Sequence, residues 1–321
     1  MTGVIALRTY HSTHLEGLVG VWNQTFAGGP NFIPLTGEDL QARVIRQPSF
    51  DPGCLVAAVE GERVVGFVHF GPMTNFWFTL GERQANRSEG QIWALVAPPS
   101  DRALLSLLLD TAIERLSQAG ARRVLLSPSW VQCTQPFYNG IAGGYEMPGL
   151  SATRSDLLEV AAERGFAPIA HYATPELDLS DRGHLELLRQ EATRLRQRHR
   201  GVDLQVRWRE VTSAFFPPRQ VVDLAWGLDT IATTAYGLWP EYARAYRRRL
   251  YGITGVQVAK TWRGLGLGKL IMIVALEAAR ADGAEAAHLH VYRDNQAAWN
   301  LYHRALGFQP KYTWMTLART A

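Results

Sequence analysis

A strand-like run, Ile253, Val256 and Val258, leads into Arg263-Gly264-Leu265-Gly266-Leu267-Gly268-Lys269, and a long helical pattern follows as far as Arg280. Glycines at alternate positions let a main chain approach a ligand with no Cβ in the way, and a helix that begins there points unpaired N–H groups at it. Such a turn is a site for phosphate groups. Two familiar phosphate-binding architectures fit poorly. A Walker loop needs Ser or Thr after its lysine, and Lys269 is followed by Leu270. A Rossmann fingerprint needs a third glycine three residues after the second and further βα units, whereas only about fifty residues follow Gly268.

Downstream, the helical pattern closes near Gly283, a short strand reads Ala287-His288-Leu289-His290-Val291, and Asn295, Ala298, Leu301-Tyr302 and Gly307-Phe308 follow in order. This succession, covering Ile253 to Leu317, closely resembles the GNAT superfamily of acyl-CoA-dependent N-acyltransferases. The resemblance implies acetyl-CoA or another acyl-CoA as co-substrate, with the turn gripping the CoA diphosphate. On the matching positions it implies cofactor contacts from Val256, Val258, Arg263, Gly264, Gly266, Gly268, Lys269 and Asn295. It also implies Tyr302 as the catalytic general acid beside the sulfur. Asn295 and Tyr302 are seven apart and so share one helix face. Each also has a purely structural use, Asn295 as a helix N-cap and Tyr302 as a core aromatic.

An internal repeat sets the domain count. Gly165-Phe166-Ala167-Pro168 repeats Gly307-Phe308-Gln309-Pro310, and Gly120-Ala121 before Val124 to Leu126 repeats Gly283-Ala284 before Leu289 and Val291. Ile92 to Val96 precedes a helical pattern (Leu104, Leu107, Leu108, Thr111, Ala112, Leu116) as Gly255 to Val258 precedes its own. The first copy also carries a strand at Val4 to Arg8, helices near Leu15 to Phe26 and Glu38 to Arg46, and a hairpin at Leu55 to Val59 and Val64 to Phe70. Its phosphate turn has degenerated. Pro98-Pro99-Ser100-Asp101-Arg102 offers no glycine, two residues without N–H and an acid where diphosphate would lie, and Val160 stands where the repeat would put Tyr302. This copy is not expected to turn over acyl-CoA.

Pro175 to Arg182 reads as a linker and His184 to Arg200 as a polar helix with Leu185, Leu188, Ala192 and Leu195 along one side, its charges a solvated face. Leu204 to Trp208 then opens the second copy, and Pro217 to Trp226 looks like its first helix. Between Trp226 and Ile253 no hairpin is evident. Thr230 to Tyr236 is weakly strand-like and Glu241 to Leu250 helical, so the second copy reads as having lost two strands. The expected fold is α/β: two tandem GNAT domains, each a mixed, mostly antiparallel twisted sheet flanked by helices. Their bounds are 1–180 for a degenerate N-terminal domain, 181–200 for a linker helix and 201–321 for a C-terminal domain with the acyl-CoA site. The two-domain layout is similar to that of the mycothiol synthases, and no acceptor is carried over from them.

For acyl transfer to an amine, a base would be useful, because a lysine-like amine is neutral in only about one molecule in a thousand near neutral pH. His288 and His290 face one way along their strand and are candidates. Asp229, Tyr236 and Glu241, in the anomalous segment, are further candidates. Pro136 to Tyr145 lengthens a loop of the first copy, either to shape an acceptor pocket or as a surface insertion, and Tyr236 to Pro240 either lines a site or packs.

Composition bounds the rest. The 321 residues suit two domains; 33 basic against 29 acidic side chains give +4, and the arginines are scattered apart from Arg194 to Arg200 and Arg247-Arg248-Arg249, which makes a nucleic-acid surface the weaker reading. Cys54 and Cys133 show neither disulfide nor metal-ligand spacing, so no metal is expected. Without a signal-like N-terminus or an apolar run of membrane-spanning length, the expectation is a cytoplasmic protein off the membrane. The function expected is transfer of an acetyl or short acyl group from acyl-CoA to a small-molecule or peptide amine. The alternative is a non-catalytic acyl-CoA-binding or scaffold protein.

Overall fold

Apolar residues gather in two places along the chain, and a computed structural model shows why. It describes residues 4–72, 88–99, 101–129, 137–199, 204–213 and 216–320; Ser100, Cys133 and Pro136 lie outside the described residues. The chain divides into two compact units, residues 1–172 with 313–321, and residues 173–312.

Unit 1 contains β1 (Ile5–Thr9), α1 (Leu15–Phe26), α2 (Gly37–Leu40), β2 (Leu55–Glu60), β3 (Arg63–Pro72), β4 (Glu89–Val96), α3 (Arg102–Gln118), β5 (Arg123–Leu126), β6 (Leu150–Ser151) and α4 (Ser155–Glu163). It ends with the first part of β7 (Ala167–Asp178). Strands β1 to β4 pair antiparallel in sequence order, and β4 pairs parallel with β5. Leu104, Leu108 and Ala112, at helical spacing on α3, bury one face against Val68, Ile92 and Leu126 of the sheet. A second core joins α1, through Leu18 and Trp22, to the opposite sheet face and to the 137–147 loop. The described part of that loop is buried, so it is not a surface insertion.

Unit 2 contains the end of β7, then α5 (Arg182–Arg198), β8 (Leu204–Ser213), β9 (Phe216–Trp226), β10 (Asp229–Leu238), α6 (Pro240–Tyr246), β11 (Leu250–Val258), α7 (Leu267–Ala281), β12 (Ala286–His288), β13 (Val291–Tyr292) and α8 (Gln296–Trp299). A π-helical turn, Asn300–Ala305, continues α8, and the long strand β14 (Gln309–Thr320) begins here. Strands β8 to β11 form an antiparallel meander, and β11 pairs parallel with β12. From Thr313 onward β14 belongs to unit 1, where Leu317 pairs with Leu126 of β5. In unit 2 the edge of β12 is covered by β7, with Ala286 opposite Asp178.

Three expectations need correction. Pro217 to Trp226 is strand β9, not a helix, and it forms with β10 the hairpin that the sequence lacks on first reading. Gly227, at φ +59°, makes the turn. Val221, Val222, Leu224 and Ala225 are all buried, so the period of two is hidden, and the prolines at the strand's start mimic the first turn of a helix. What the second copy lacks is the helical pair between its first two strands, since β8 and β9 are two residues apart. Pro175 to Asp178 is strand rather than linker. The boundary between units falls between Tyr172 and Ala173, not in residues 181–200. Helix α5, capped by Asp181 accepting from His184 N, buries Leu185, Leu188, Ala192 and Leu195 in the unit 2 core.

Candidate active site

The site is built where two parallel strands stop pairing. β11 and β12 share only the pairs Leu250–Ala286, Tyr251–Ala287 and Gly252–His288. Beyond them β11 runs on to Val258 paired with β10 alone among the described residues. The other edge of Ile253 to Val258 therefore offers main-chain donors and acceptors to an extended guest. A bulge marked by Gly255 at φ +63° shifts the register there, and Val256 and Val258 are half-buried.

The strand ends in a 3-10 turn, Lys260–Trp262, and then the glycines. Gly264 (φ +79°) and Gly266 (φ +82°) are left-handed. Space around the missing Cβ of Gly264 is open to 4 Å, so its backbone is bare. Gly266 is the N-cap of α7 and supplies no side chain to cap it. The first helical bond is donated by Leu270 N to Gly266 O, so the amides of Leu267, Gly268 and Lys269 precede the helical ladder. At Gly268 a Cβ would touch Val258 and Leu301, each at 3.5 Å, which places the turn, β11 and the last helix side by side.

Helix α5 holds this turn, a role that the sequence reading missed. Leu195 Cδ2 lies 2.6 Å from where a Cβ on Gly266 would stand. His199 Nε2 donates to Leu265 O at 2.9 Å. Lys269, expected to reach phosphate, has its Nζ 3.0 Å from Glu191 Oε1, and that bond holds the Glu191 carboxyl below its ordinary pKa. Arg263 is exposed, and its Nε donates to Val258 O at 3.1 Å. The leucine spacing of α5 was the available signal; the partner of its buried stripe was not readable.

Asn295 caps α8, accepting from Ala298 N at 3.1 Å, and is exposed. Tyr302 lies in the π-helical turn at 7% exposure, in the core that also holds Ile253, Leu267 and Val291. Burial pushes its phenol pKa above the ordinary value, so it stays protonated and able to donate. His288 lies at the strand fork, 1% exposed, with neither ring nitrogen partnered. Burial, then the charges of His290 and Lys311, hold it well below its ordinary pKa and therefore neutral. Trp239 stacks on it at 5.0 Å, and His290 stands edge-on at 5.4 Å with its Nδ1 2.7 Å from Thr174 Oγ1. Of the other candidates, Tyr236 donates to Asp282 at the end of α7, Glu241 is buried, and Asp229 is exposed at a hairpin turn.

The counterpart in unit 1 is chemically opposite. Asp101 Oδ1 accepts from Leu104 N at 2.9 Å, so a carboxylate already occupies the N-terminus of α3. Arg102 beside it is bound to Glu159 and Glu163 of α4. An anion brought there would meet a charge of its own sign.

Residues 190–308 match the model of the Acetyltransferase (GNAT) family. No curated protein matches the chain. Among solved structures, a tandem GNAT protein from the clavulanic acid biosynthesis pathway shares the fold at TM-score 0.67 and 13% identity, over 99% of this chain and 98% of that one. A GCN5-related glucosamine N-acetyltransferase region in a fungal multi-domain GH3 β-N-acetylglucosaminidase aligns over 99% of this chain at TM-score 0.70 and 14% identity. The chain spans 38% of the length of that fungal protein. A GCN5-related N-acetyltransferase from Sphaerobacter thermophilus aligns at TM-score 0.57 and 12% identity, over 98% of this chain and 95% of that one. Among the described residues no helix is long and apolar enough to cross a membrane. Residues 190–308 thus match a GNAT domain, within a chain that shares the tandem GNAT fold over nearly all its length.

Proposed function

We propose that unit 2 transfers an acetyl or other short acyl group from acyl-CoA to an amine, and that unit 1 does not. The observation that carries this reading is the contrast between two equivalent helix ends. That of α7 is uncapped and bare of side chains, whereas that of α3 is filled by Asp101. Diphosphate would lie on the amides from Gly264 to Lys269, with Arg263 alongside, and the pantetheine arm would pair with the open edge of β11 at Val256 and Val258. Bound there, the thioester brings an activated carbonyl to the fork of β11 and β12.

The amine nitrogen attacks that carbonyl, the C–S bond breaks, the departing thiolate takes a proton from the Tyr302 phenol, and the proton that the attacking nitrogen sheds passes through solvent to restore the phenol. Asn295 keeps its capping role and remains available to the pantetheine. His288 is held neutral by burial and is a poor base, so the acceptor has to react as the free amine. With β9 and β10 in place, the missing hairpin no longer argues for a non-catalytic scaffold. Two cysteines without a disulfide framework suit a reducing cytoplasm.

The test is release of free thiol from acetyl-CoA across a panel of amines. Turnover is expected with at least one of them. For an alkylamine, kcat/KM should rise about tenfold per pH unit below the amine's own pKa, following the free-amine fraction. Calorimetric binding of acetyl-CoA with no thiol release from any amine would favour the scaffold.

A further inference from the structure

Unit 1 has no bare glycine turn at the start of α3 but contains a partly open cavity of about 620 Å³. Five aromatic side chains, Trp22, Phe26, Phe32, Trp93 and Trp314, line it, and its size suits a small organic molecule. Its walls are built closely. A Cβ on Gly143 would stand 2.6 Å from Trp314, and one on Gly149 would stand 2.8 Å from Met315 O. Ser127, also in the wall, is held at φ +49°, a conformation that costs a non-glycine residue about 1–3 kcal/mol and gathers at ligand sites.

Two side-chain polar atoms of this lining are buried without a partner, Thr25 Oγ1 and Arg154 Nη1, and only the second carries charge. Arg154 is 8% exposed. Its Nε and Nη2 donate to the two carboxylate oxygens of Asp156 at 2.9 and 2.8 Å, and its third nitrogen, Nη1, is buried without a partner. A buried guanidinium edge left unbonded is costly, and a ligand oxygen would repair it. The charge of Arg154 is already balanced. Burial alone would raise Asp156, but the Arg154 bond and the amides of Leu157 and Asp156 hold it below the ordinary carboxylate range, so it is ionised. A second carboxylate beside this pair would be a buried, uncompensated charge, whereas a neutral oxygen would not.

We propose that the cavity of unit 1 binds a neutral, mainly aromatic small molecule through a carbonyl or amide oxygen that accepts from Arg154 Nη1. The diphosphate of CoA has no place on the Asp101-capped helix end, so the ligand is not acyl-CoA. The cavity then serves a recognition task independent of CoA.

The test uses the full chain and two matched probe pairs, indole-3-acetamide with indole-3-acetate and 2-naphthamide with 2-naphthoate, followed by saturation-transfer NMR and fluorescence titration. At least one amide should bind with Kd below about 1 mM and about tenfold or more tighter than its acid. Ala142→Trp, which fills the cavity from its lining, should abolish that binding. Arg154→Lys keeps an ion pair with Asp156 but removes the second guanidinium edge, and should shrink the amide preference to less than about threefold. Circular dichroism shows whether each variant is folded, and the arginine variant alone suffices should the tryptophan variant unfold. Failure of both amides to bind by about 10 mM, an acid that binds as well as its amide, an unchanged preference in Arg154→Lys, or displacement of the probe by acetyl-CoA would each overturn the proposal.

Discussion

Gly266→Val is expected to weaken acetyl-CoA binding by more than about a hundredfold while leaving unit 1 unaffected. Two independent obstacles act at this position. At φ +82° a β-branched residue is a severe outlier, and the left-handed conformation alone costs an L-residue about 1–2 kcal/mol. The new Cβ would also stand 2.6 Å from Leu195 Cδ2, so either α5 or the turn has to move. If the turn moves, the amides of Leu267 to Lys269 lose their common aim. Charge-assisted hydrogen bonds are worth about 1.5–3 kcal/mol each, so losing two accounts for the expected factor. Calorimetry with acetyl-CoA reads the affinity, and a thermal melt shows whether unit 2 remains folded. Adding Leu195→Ala relieves the overlap but not the backbone strain, so the double variant should recover only part of the affinity. Binding within threefold of wild type in the single variant would mean that the turn is not the phosphate site.

Tyr302→Phe is the complementary experiment, because it should separate chemistry from binding. The phenol is buried and protonated, and phenylalanine fills the same space beside Phe308, whose ring centre lies 6.2 Å away. The fold should hold. Without a proton donor the thiolate leaves unassisted, and general-acid catalysis of this kind is worth about 10²–10⁴-fold, so kcat should drop by at least about a hundredfold. The Kd of acetyl-CoA should stay within about threefold, since the substitution leaves the main-chain amides of the cradle untouched. Equal turnover by the phenylalanine variant removes Tyr302 from the mechanism and leaves it as a core aromatic.

Much of this architecture is written locally and can be read locally. Gly264 and Gly266 declare their left-handed turn by having no side chain, and the helix after them by its apolar run. The repeat of Gly-Phe-x-Pro at 165 and 307 declares two copies. The misreadings all concern interactions between distant residues. β9 is buried along most of its length, so its alternation disappears, and Pro217 and Pro218 suggest a helix start that only pairing with β8 and β10 refutes. The ion pair that Lys269 makes with Glu191, 78 residues earlier, is likewise invisible beside a glycine turn that suggests phosphate. The polar helix read as a connector is the brace of the site, because what its leucine stripe meets is α7 and Gly266. Likewise Asp101 as a helix cap was legible as an acid in the wrong place, but the cavity of unit 1 was not.

The most direct measurement is a crystal structure of the full chain grown with excess acetyl-CoA. The diphosphate should rest on the amides between Gly264 and Lys269, with the pantetheine arm along Val256 and Val258 and the sulfur turned toward Tyr302, while the α3 end of unit 1 stays without nucleotide. A diphosphate bound at Asp101 and Arg102 instead, or an empty turn at 264–269 under saturating acetyl-CoA, would contradict the assignment of the transferase site to unit 2.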